Sequence, residues 1–465
     1  MNGVTLPTPR GRGRLLQGLL APLFAVALAQ AARAEAVKLE PAASDPKPYQ
    51  VKIDVQTTGH VYTSRAGGKS ERHTMNAAAA FEFQERRLPP AGRDAQALRA
   101  ARDYQKAKVD TQVSDKRTTT ELPPLERFIV ATGQREGVSA YCPTTLLSRD
   151  TLDLLEMPAD PLVLTALLPP DAVEKGSEWT PAEWVTQMFA TVEAVEAIEA
   201  KCRVESLDDA AAVLAISSRV RGQRLGANTD VQISGTVTFD RATSSISAAT
   251  LTYTIKSTIG TVTPGIDAKT ESRMIRRPAA GPGRLVDSVI EAIPIEAPAA
   301  AERLAFPAEP WGVRLLHSRS WHVFQAVLEG APQVIILRQI DRGSLVCQCN
   351  VTTLPAAPAG QHAPKEQFDR DIERSLGKRF KQFLSRETVP AASGRMIYRV
   401  EVEGESEVTG NKGAVQIPMN WIYYLVAEPS GQQMSFVFAV EPSLRGELAE
   451  QDLDMVKGVQ FVAKP

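Results

Sequence analysis

The clearest hydrophobic pattern in the chain is an alternation of apolar and polar positions in its middle third. Apolar side chains recur at every second position of two segments joined by a polar turn at 240–244, and they are Val231, Ile233, Val237, Phe239, Leu251, Tyr253 and Ile255. A period of two with one polar face is typical of antiparallel strands that pack on one side only. The pattern therefore predicts a meander, which an alternating run at 198–204 and a further strand near 269–276 extend.

The apolar face of this meander has two alternative roles. A helix near Trp184 or another sheet layer can pack on it, which is the favoured outcome because buried sheet faces are common. Left open, the same residues form a ligand face, a groove of lipid size, because ligand sites are usually concave and apolar. The sequence leaves the choice between packing and ligand binding open.

Other patterns place strands and short helices before the meander. Alternating segments at Tyr49–Tyr62 and Thr74–Phe83 flank a glycine-containing turn, which predicts a hairpin. Ser148 is suited to cap a short helix. A second helix is predicted at Pro181–Ala190, because proline is favoured in the first turn.

The last third of the chain predicts strands that are covered by helices. Five apolar residues recur at helical spacing, and they are Phe368, Ile372, Leu376, Phe380 and Phe383. This spacing predicts a long amphipathic helix at Lys365–Leu384. Strands on both sides of it and a short helix at Leu444–Val456 predict an α+β architecture, with helices over an antiparallel sheet.

A change in composition divides the chain into two predicted domains. Residues 278–310 are rich in proline, alanine and glycine, as stiff connectors are. We therefore expect a large antiparallel β-sheet domain with few helices at 49–277. A linker at 278–310 and an α+β domain at 311–465 follow.

Residues 1–34 have the layout of a bacterial Sec-type signal peptide. Three arginines between residues 10 and 14 precede an apolar stretch at Leu15–Leu28, and small residues follow at sites that end at Ala31 and Ala34. This order predicts a periplasmic or secreted protein. No later apolar run reaches the roughly 18 residues of a membrane span, so no transmembrane segment is expected after cleavage. An uncleaved N-terminal anchor is the alternative.

Two stretches of the chain resemble known families. From about Pro310 to Pro465, the order of strands, long helix, three-stranded meander, short helix and final strand resembles the PsbP-like fold. This is an α/β/α sandwich of photosystem-associated and bacterial exported proteins. From Tyr49 to Ile275, the chain resembles exported bacterial β-rich proteins of unknown function, through Leu167-Leu168-Pro169-Pro170 and Gly176-Ser177-Glu178-Trp179. In architecture it is also similar to the LolA and LppX lipoprotein carriers. These resemblances supply no catalytic residues.

Charge and cysteine content narrow the function further. The chain has 53 basic and 54 acidic side chains and a net charge of −1, so no basic surface for nucleic acid is expected. Its four cysteines are too few for a disulfide-scaffolded fold.

The four cysteines fall into two pairs with different expected roles. Cys142 and Cys202 are a candidate disulfide if the protein is exported. Cys347 and Cys349 are expected to be small buried residues.

No motif predicts a catalytic residue, a cofactor or a metal. Gly68-Lys69-Ser70 lacks the earlier glycine of a phosphate-binding loop, which would fall at Thr63. We therefore expect a noncatalytic exported envelope protein that binds a hydrophobic ligand, such as a lipid, or another envelope protein. An unrecognised hydrolase or carbohydrate-binding protein is the alternative. Acids paired in a cleft would favour the alternative, whereas a continuous apolar cavity under the first sheet would favour the binding protein.

Overall fold

The computed structural model describes residues 36–41, 47–64, 70–89, 92, 94–391, 394–410 and 413–462. The signal peptide predicted at residues 1–34 lies outside these ranges. Three antiparallel sheets contain most of the described chain. In the part of the chain that is described, no helix has both the length and the apolarity to cross a membrane.

The largest sheet is built from the strands of residues 49–278. They are β1 (Tyr49–Ser64), β2 (Ser70–Arg87), β3 (Arg99–Val113), β4 (Lys116–Glu121), β5 (Phe128–Gln134), β6 (Gly137–Tyr141), β7 (Glu178–Trp179), β8 (Ala194–Leu207), β9 (Ala211–Arg224), β10 (Ala227–Asp240), β11 (Ser245–Ser257) and β12 (Gly265–Pro278). The spatial order is β6-β5-β3-β2-β1-β12-β11-β10-β9-β8-β7, and β4 pairs with β3. Strand β1 therefore joins the predicted hairpin to the predicted meander.

The meander is confirmed, with one strand that the alternation does not predict. Strand β9 lies between β8 and β10. Its inward positions include Ser218 and Gly222 as well as Leu214 and Ile216. Small and polar residues on the inner side weaken the contrast between the two faces, so the period of two is less visible there.

Three short helices cover the inner face of this sheet, namely α1 (Arg149–Leu155), α2 (Pro161–Ala166) and α3 (Glu183–Ala190). The Ser148 hydroxyl accepts a hydrogen bond from the Thr151 N–H at 3.1 Å, as expected of an N-cap. Helix α3 begins two residues later than predicted, because Ala182 keeps a non-helical ψ of 146°. The buried side chains of all three helices share one core with the sheet.

The proline- and alanine-rich segment at 278–310 packs against the other face of the same sheet. Leu285 and Ile290 form a small core with Phe128 and Val130 of β5, and Ile290 lies on helix α4 (Asp287–Glu291). Arg86 also donates to the Leu285 carbonyl at 2.8 Å. The segment is thus tied to the first sheet along its first half.

The remaining strands form two further sheets. They are β13 (Leu304–Ala308), β14 (Val313–His317), β15 (Trp321–Val327), β16 (Val334–Asp341), β17 (Ser344–Leu354), β18 (Phe380–Val389), β19 (Met396–Gly410), β20 (Gly413–Ala427), β21 (Gln433–Val440) and β22 (Gln460–Phe461). Strands β13, β14 and β22 make a small sheet, and the others are ordered β15-β16-β17-β21-β20-β19-β18.

Helices and the small sheet cover the two faces of this seven-stranded sheet. They include α5 (Lys365–Leu376), α6 (Arg445–Leu448) and α7 (Gln451–Lys457). On β20, Tyr423 and Leu425 belong to the core that contains α5. Tyr424 and Val426 belong to the core that contains α7 and the small sheet. Side chains of a strand alternate between faces, so the sheet is packed on both sides.

The helix predicted at Lys365–Leu384 is wrong beyond Leu376. Gly377 has a φ of +53°, which ends α5, and the chain then extends into the edge strand β18. Phe380 and Phe383 therefore lie on a strand, although their spacing fits a helix. Glycine adopts a positive φ at little cost, which makes it the usual residue after a helix end.

Candidate functional site

A cavity of about 790 Å³ lies at one end of the meander's apolar face. Val231, Tyr253 and Ile255 line it from the sheet, and Met188 and Phe189 line it from α3. Small-molecule sites commonly have volumes between about 300 and 1,000 Å³ and mostly apolar walls. Both the size and the lining of this cavity therefore suit a ligand.

The other residues of the predicted ligand face are packed in the core. Ile233, Val237, Phe239 and Leu251 are at most 2% exposed, and they belong to the core beneath the three helices. None of the four lines the cavity. The face is therefore packed along most of its length, and at one end Val231 and Tyr253, which are 4% and 6% exposed, also border the cavity.

The connection between α1 and α2 forms one wall of the cavity. The Ala159 N–H donates to the Tyr253 hydroxyl at 3.1 Å, which ties this connection to β11. The Asp160 carboxylate caps α2 by accepting from the Leu162 N–H at 2.9 Å. Arg102 of β3 holds the same carboxylate through two hydrogen bonds of 2.8 and 2.6 Å.

A buried ionic cluster underlies this wall. Arg102 also donates to Glu85 at 3.1 Å, and Arg87 and Arg276 each lie 3.6 Å from the other carboxylate oxygen. Burial alone would raise the pKa of Glu85, but the three guanidinium groups outweigh it and hold that pKa below its ordinary value. The cluster stays charged and fixes α2 against the sheet.

The mouth of the cavity is charged. Its carboxylates are Glu136, Asp153, Glu156, Glu193 and Asp341, and its guanidinium groups are Arg149, Arg224 and Arg319. Asp160 also borders the cavity but is buried in its wall. Residues of the turn before β15 and of the end of β16 complete the lining. The cavity is therefore bounded by both parts of the fold, and acidic groups outnumber basic ones.

The three guanidinium groups are bound to protein acceptors. Arg224 pairs with Glu156 at 2.6 Å and donates to Thr191 at 2.9 Å. Arg149 donates to the main-chain carbonyl of Arg319 and, at 3.1 Å, to that of Trp321.

Arg319 has three acceptors of its own. It donates to the Glu302 carbonyl at 2.8 Å, to the Ala140 carbonyl at 2.7 Å and to the Ser139 hydroxyl. Together with those of Arg149, these hydrogen bonds tie the turn before β15 to β6 and α1.

Two carboxylates at the mouth hold protons more tightly than usual. Burial raises the pKa of Glu193, whose carboxylate accepts from the Leu225 N–H at 3.3 Å. Burial also raises the pKa of Asp153 to about 6, and its partner Arg149 lies 3.7 Å away. The Asp153 side chain is itself 62% exposed, so its surroundings enclose it only in part.

Two histidines lie at the same edge. His322 lines the cavity, and burial lowers its pKa to about 3, with Arg149 and His317 adding to the effect. Burial likewise lowers the pKa of His317 to about 4. Both rings are neutral at pH 7. Across the described ranges, no three His, Cys, Asp or Glu side chains are arranged to hold a metal ion.

The predicted disulfide between Cys142 and Cys202 is not formed. All four cysteines are free and buried. Cys142 follows β6 and contacts the Thr144 hydroxyl at 3.3 Å, whereas Cys202 lies on β8 opposite Trp179. Strands β6 and β8 are near opposite ends of the strand order, which accounts for the missing bridge. The interpretation of Cys347 and Cys349 as buried residues agrees with the structure.

Several lining residues carry no signal in the sequence. Arg149, Glu193, Arg224, Arg319 and His322 come from segments up to 173 positions apart and form no motif. Each is a polar residue beside an apolar run, which is also how ordinary surface residues look. Only the packing of the two parts of the fold brings them to one cavity.

Comparison with known proteins gives no assignment by sequence and only low structural similarity. No protein-family model matches the chain, and no curated protein matches its sequence. Cyanobacterial PsbP from Synechocystis sp. PCC 6803 is similar with 12% identity and a TM-score of 0.25, over 37% of this chain and 99% of that protein.

Two other solved structures show similarity of the same order. A lipovitellin structure that describes lipid–protein interactions has 9% identity and a TM-score of 0.29, over 52% of this chain and 26% of lipovitellin. MucB, solved in complex with MucA(peri), has 10% identity and a TM-score of 0.17, over 90% of this chain and 94% of MucB. The predicted similarity to PsbP is thus found at a low level, and these values assign neither family nor function.

Proposed function

We propose that the protein is a noncatalytic binding protein of the bacterial cell envelope whose cavity holds an apolar or amphipathic molecule. The observation that carries this proposal is the cavity of about 790 Å³ that continues the meander's apolar face at Val231, Tyr253 and Ile255. A scaffold with a solidly packed core would not contain a cavity of this size. The proposal includes a lipoprotein-carrier architecture for the first sheet, as expected from its resemblance to LolA and LppX.

The energetics suit a ligand with an alkyl chain. Each buried methylene group contributes about 0.8 kcal/mol, so about ten of them contribute about 8 kcal/mol before ordering costs. Association and ordering costs subtract several kcal/mol from that gain. An apolar chain placed against Phe189, Tyr253 and Ile255 would therefore supply part of the binding free energy without any specific polar contact.

Residues next to the predicted cleavage site belong to the fold, so cleavage there is compatible with a folded mature protein. Val37 and Val173 exchange two backbone hydrogen bonds of 2.8 Å, and Leu39 is 1% exposed in the first core. Cleavage after Ala34 would keep these contacts. N-terminal sequencing of the exported protein should begin near Ala32 or Glu35. An intact Met1 on a membrane-embedded protein would contradict the proposal.

The direct test of binding is mass spectrometry of small molecules extracted from protein purified out of its own envelope. We expect a compound with an apolar chain in near-stoichiometric amount. Ile255→Trp should fill the cavity and remove that compound. Ile295→Trp, at a position that is 70% exposed and outside the cavity, is the matched control and should retain it. Absence of any bound molecule, together with no binding of added lipid probes, would reject the proposal.

The acids at the mouth favour a hydrolase as the second candidate. Asp153 has a pKa of about 6, and Glu156 at the same helix end is paired with Arg224 at 2.6 Å. Two carboxylates in different environments are the usual arrangement for general acid–base chemistry. Turnover of ester or glycoside substrates that Asp153→Asn abolishes, with ligand binding retained, would establish this candidate.

A further inference from the structure

We infer that the molecule held in this cavity is an organic cation, with an ammonium or similar group attached to an apolar body. The inference rests on the proposed binding function and deepens it. It follows from two observations on the described residues. The floor of the cavity is apolar, and the guanidinium groups at its mouth are all bound to protein acceptors, whereas the carboxylates of Glu136, Glu193 and Asp341 have no ion-pair partner among the described residues.

The cationic side chains at the mouth leave little capacity for an anionic ligand. Arg224 is paired with Glu156 at 2.6 Å. Arg149 and Arg319 donate to main-chain carbonyls and to a hydroxyl, and so join the two parts of the fold. His322, the remaining basic residue of the lining, is neutral because burial lowers its pKa. A fatty-acid carboxylate would therefore have to displace a structural hydrogen bond.

Three carboxylates at the mouth, in contrast, can accept a cationic ligand. Among the described residues, no Lys, Arg or His nitrogen lies within 4.0 Å of the carboxyl groups of Glu136, Glu193 and Asp341. Glu193 is partly buried at the cavity wall and accepts main-chain hydrogen bonds from Leu225, at 3.3 Å, and from Gly343. A partly buried carboxylate without a counter-ion is unfavourable, and a ligand cation would supply the counter-ion.

The apolar floor also suits a cation. The rings of Phe189 and Tyr253 meet edge to face with their centroids 5.8 Å apart, and both residues line the cavity. Met157 and Met188 lie in the same lining. Aromatic rings attract ammonium groups through their negative faces, most strongly where water is excluded. The floor therefore accommodates both the alkyl body and the groups next to the charge.

Three probes of equal chain length test the charge preference. Binding of dodecyltrimethylammonium, dodecanol and dodecanoate is measured by calorimetry with the full-length exported chain, below their micelle concentrations. We expect the cation to bind about tenfold more tightly than the alcohol, which corresponds to about 1.4 kcal/mol, and the carboxylate to bind most weakly. Glu193→Gln should remove most of the tenfold preference and leave dodecanol binding within about twofold.

Controls separate this inference from the proposed function. Glu199→Gln removes an acid from the outer face of the meander and should leave all three affinities unchanged. Asp341→Asn, at an exposed position, is a second test if Glu193→Gln does not fold, and it should lower only the affinity for the cation. Failure of every probe would overturn the proposed function. Equal or tighter binding of dodecanol or dodecanoate, unchanged in both variants, would overturn only the cation inference.

Discussion

Arg102 and Asp160 form a buried two-point ion pair, with nitrogen–oxygen distances of 2.8 and 2.6 Å. The two residues are 1% and 4% exposed. Because Asp160 also caps α2, the pair connects β3 to the helix that borders the cavity. The stability of the cavity wall therefore depends on a charge located inside the core.

Loss of this charge should be costly. Arg102→Met leaves Asp160 buried without its partner and weakens the neutralisation of Glu85, so we expect a loss of about 3–5 kcal/mol in the free energy of unfolding. Urea unfolding measures it. Arg219→Met is the matched control, because Arg219 and Asp230 form a two-point pair of 3.0 and 2.6 Å with Arg219 largely exposed. Exposed pairs contribute much less to stability than buried ones, because solvent screens them. Similar losses in the two variants would contradict this account.

The packed and open ends of the meander face should respond differently to truncation. Phe239→Ala opens a hole in the core and should cost about 3–5 kcal/mol, while the folded fraction keeps its affinity for an apolar probe. Ile255→Ala enlarges an existing cavity and should cost less than about 2 kcal/mol, while weakening probe binding severalfold. Thermal unfolding and fluorescence titration measure the two effects. If Phe239→Ala weakens probe binding and Ile255→Ala causes the larger loss of stability, the probe does not bind at the Ile255 end of the face.

The buried histidines should make the fold sensitive to acid. The pKa of His317 is about 4 in the folded protein, against about 6.5 for an unfolded chain. Below pH 6.5 the unfolded state gains a proton that the folded state does not, so stability is complete above pH 6.5 and falls towards pH 4. The loss from His317, which is 1% exposed, is roughly 3 kcal/mol.

Replacement of this histidine isolates its contribution. His317→Asn lowers stability at pH 7, but it should flatten the decline in unfolding free energy between pH 6.5 and 4. His322 shifts in the same direction and accounts for part of the remaining slope. His362→Asn, at an exposed position, serves as the matched control. A decline that is equally steep in wild type and His317→Asn would show that His317 does not cause it.

Fragments test the predicted independence of the two halves and its boundary. Strand β13 pairs with β14 from Leu304 to Ala308. Ala308 is buried in the core of the second half, whereas Leu304 is buried in the core of the first half. A fragment that starts at Leu304 should therefore unfold cooperatively. One that starts at Trp311 should have a lower urea midpoint, because it loses that strand. If neither fragment folds, the halves are not independent.

Local patterns predicted those parts of the fold in which neighbours along the chain are also neighbours in space. The hairpin of β1 and β2, the meander and the cap at Ser148 are of this kind. Beyond Leu376 the prediction failed, because a helical spacing of phenylalanines continues past Gly377 although the backbone changes direction there. The spacing of apolar residues does not indicate where a single glycine ends a helix.

The candidate site was predictable only in part. Alternation identified Val231, Tyr253 and Ile255 as residues of one face, because a shared face depends only on the strands of one sheet. It could not show that the face is open at that end, because the opening depends on where α2 and α3 stop. Nor could it place Glu193 and Arg319 at one mouth, because that position results from packing between distant segments.

The pairing of β1 with β12 has a consequence for the order of folding. Tyr49 lies opposite Pro278 and Tyr62 opposite Gly265, so the central ladder of the largest sheet joins segments more than 200 positions apart. Contacts of such separation form slowly, since the intervening chain must first be ordered. The ladder cannot close during synthesis or passage through a membrane pore until β12 has emerged. A chain built in this way completes its largest sheet late, which under the proposed export would leave it unfolded during transport through a narrow channel.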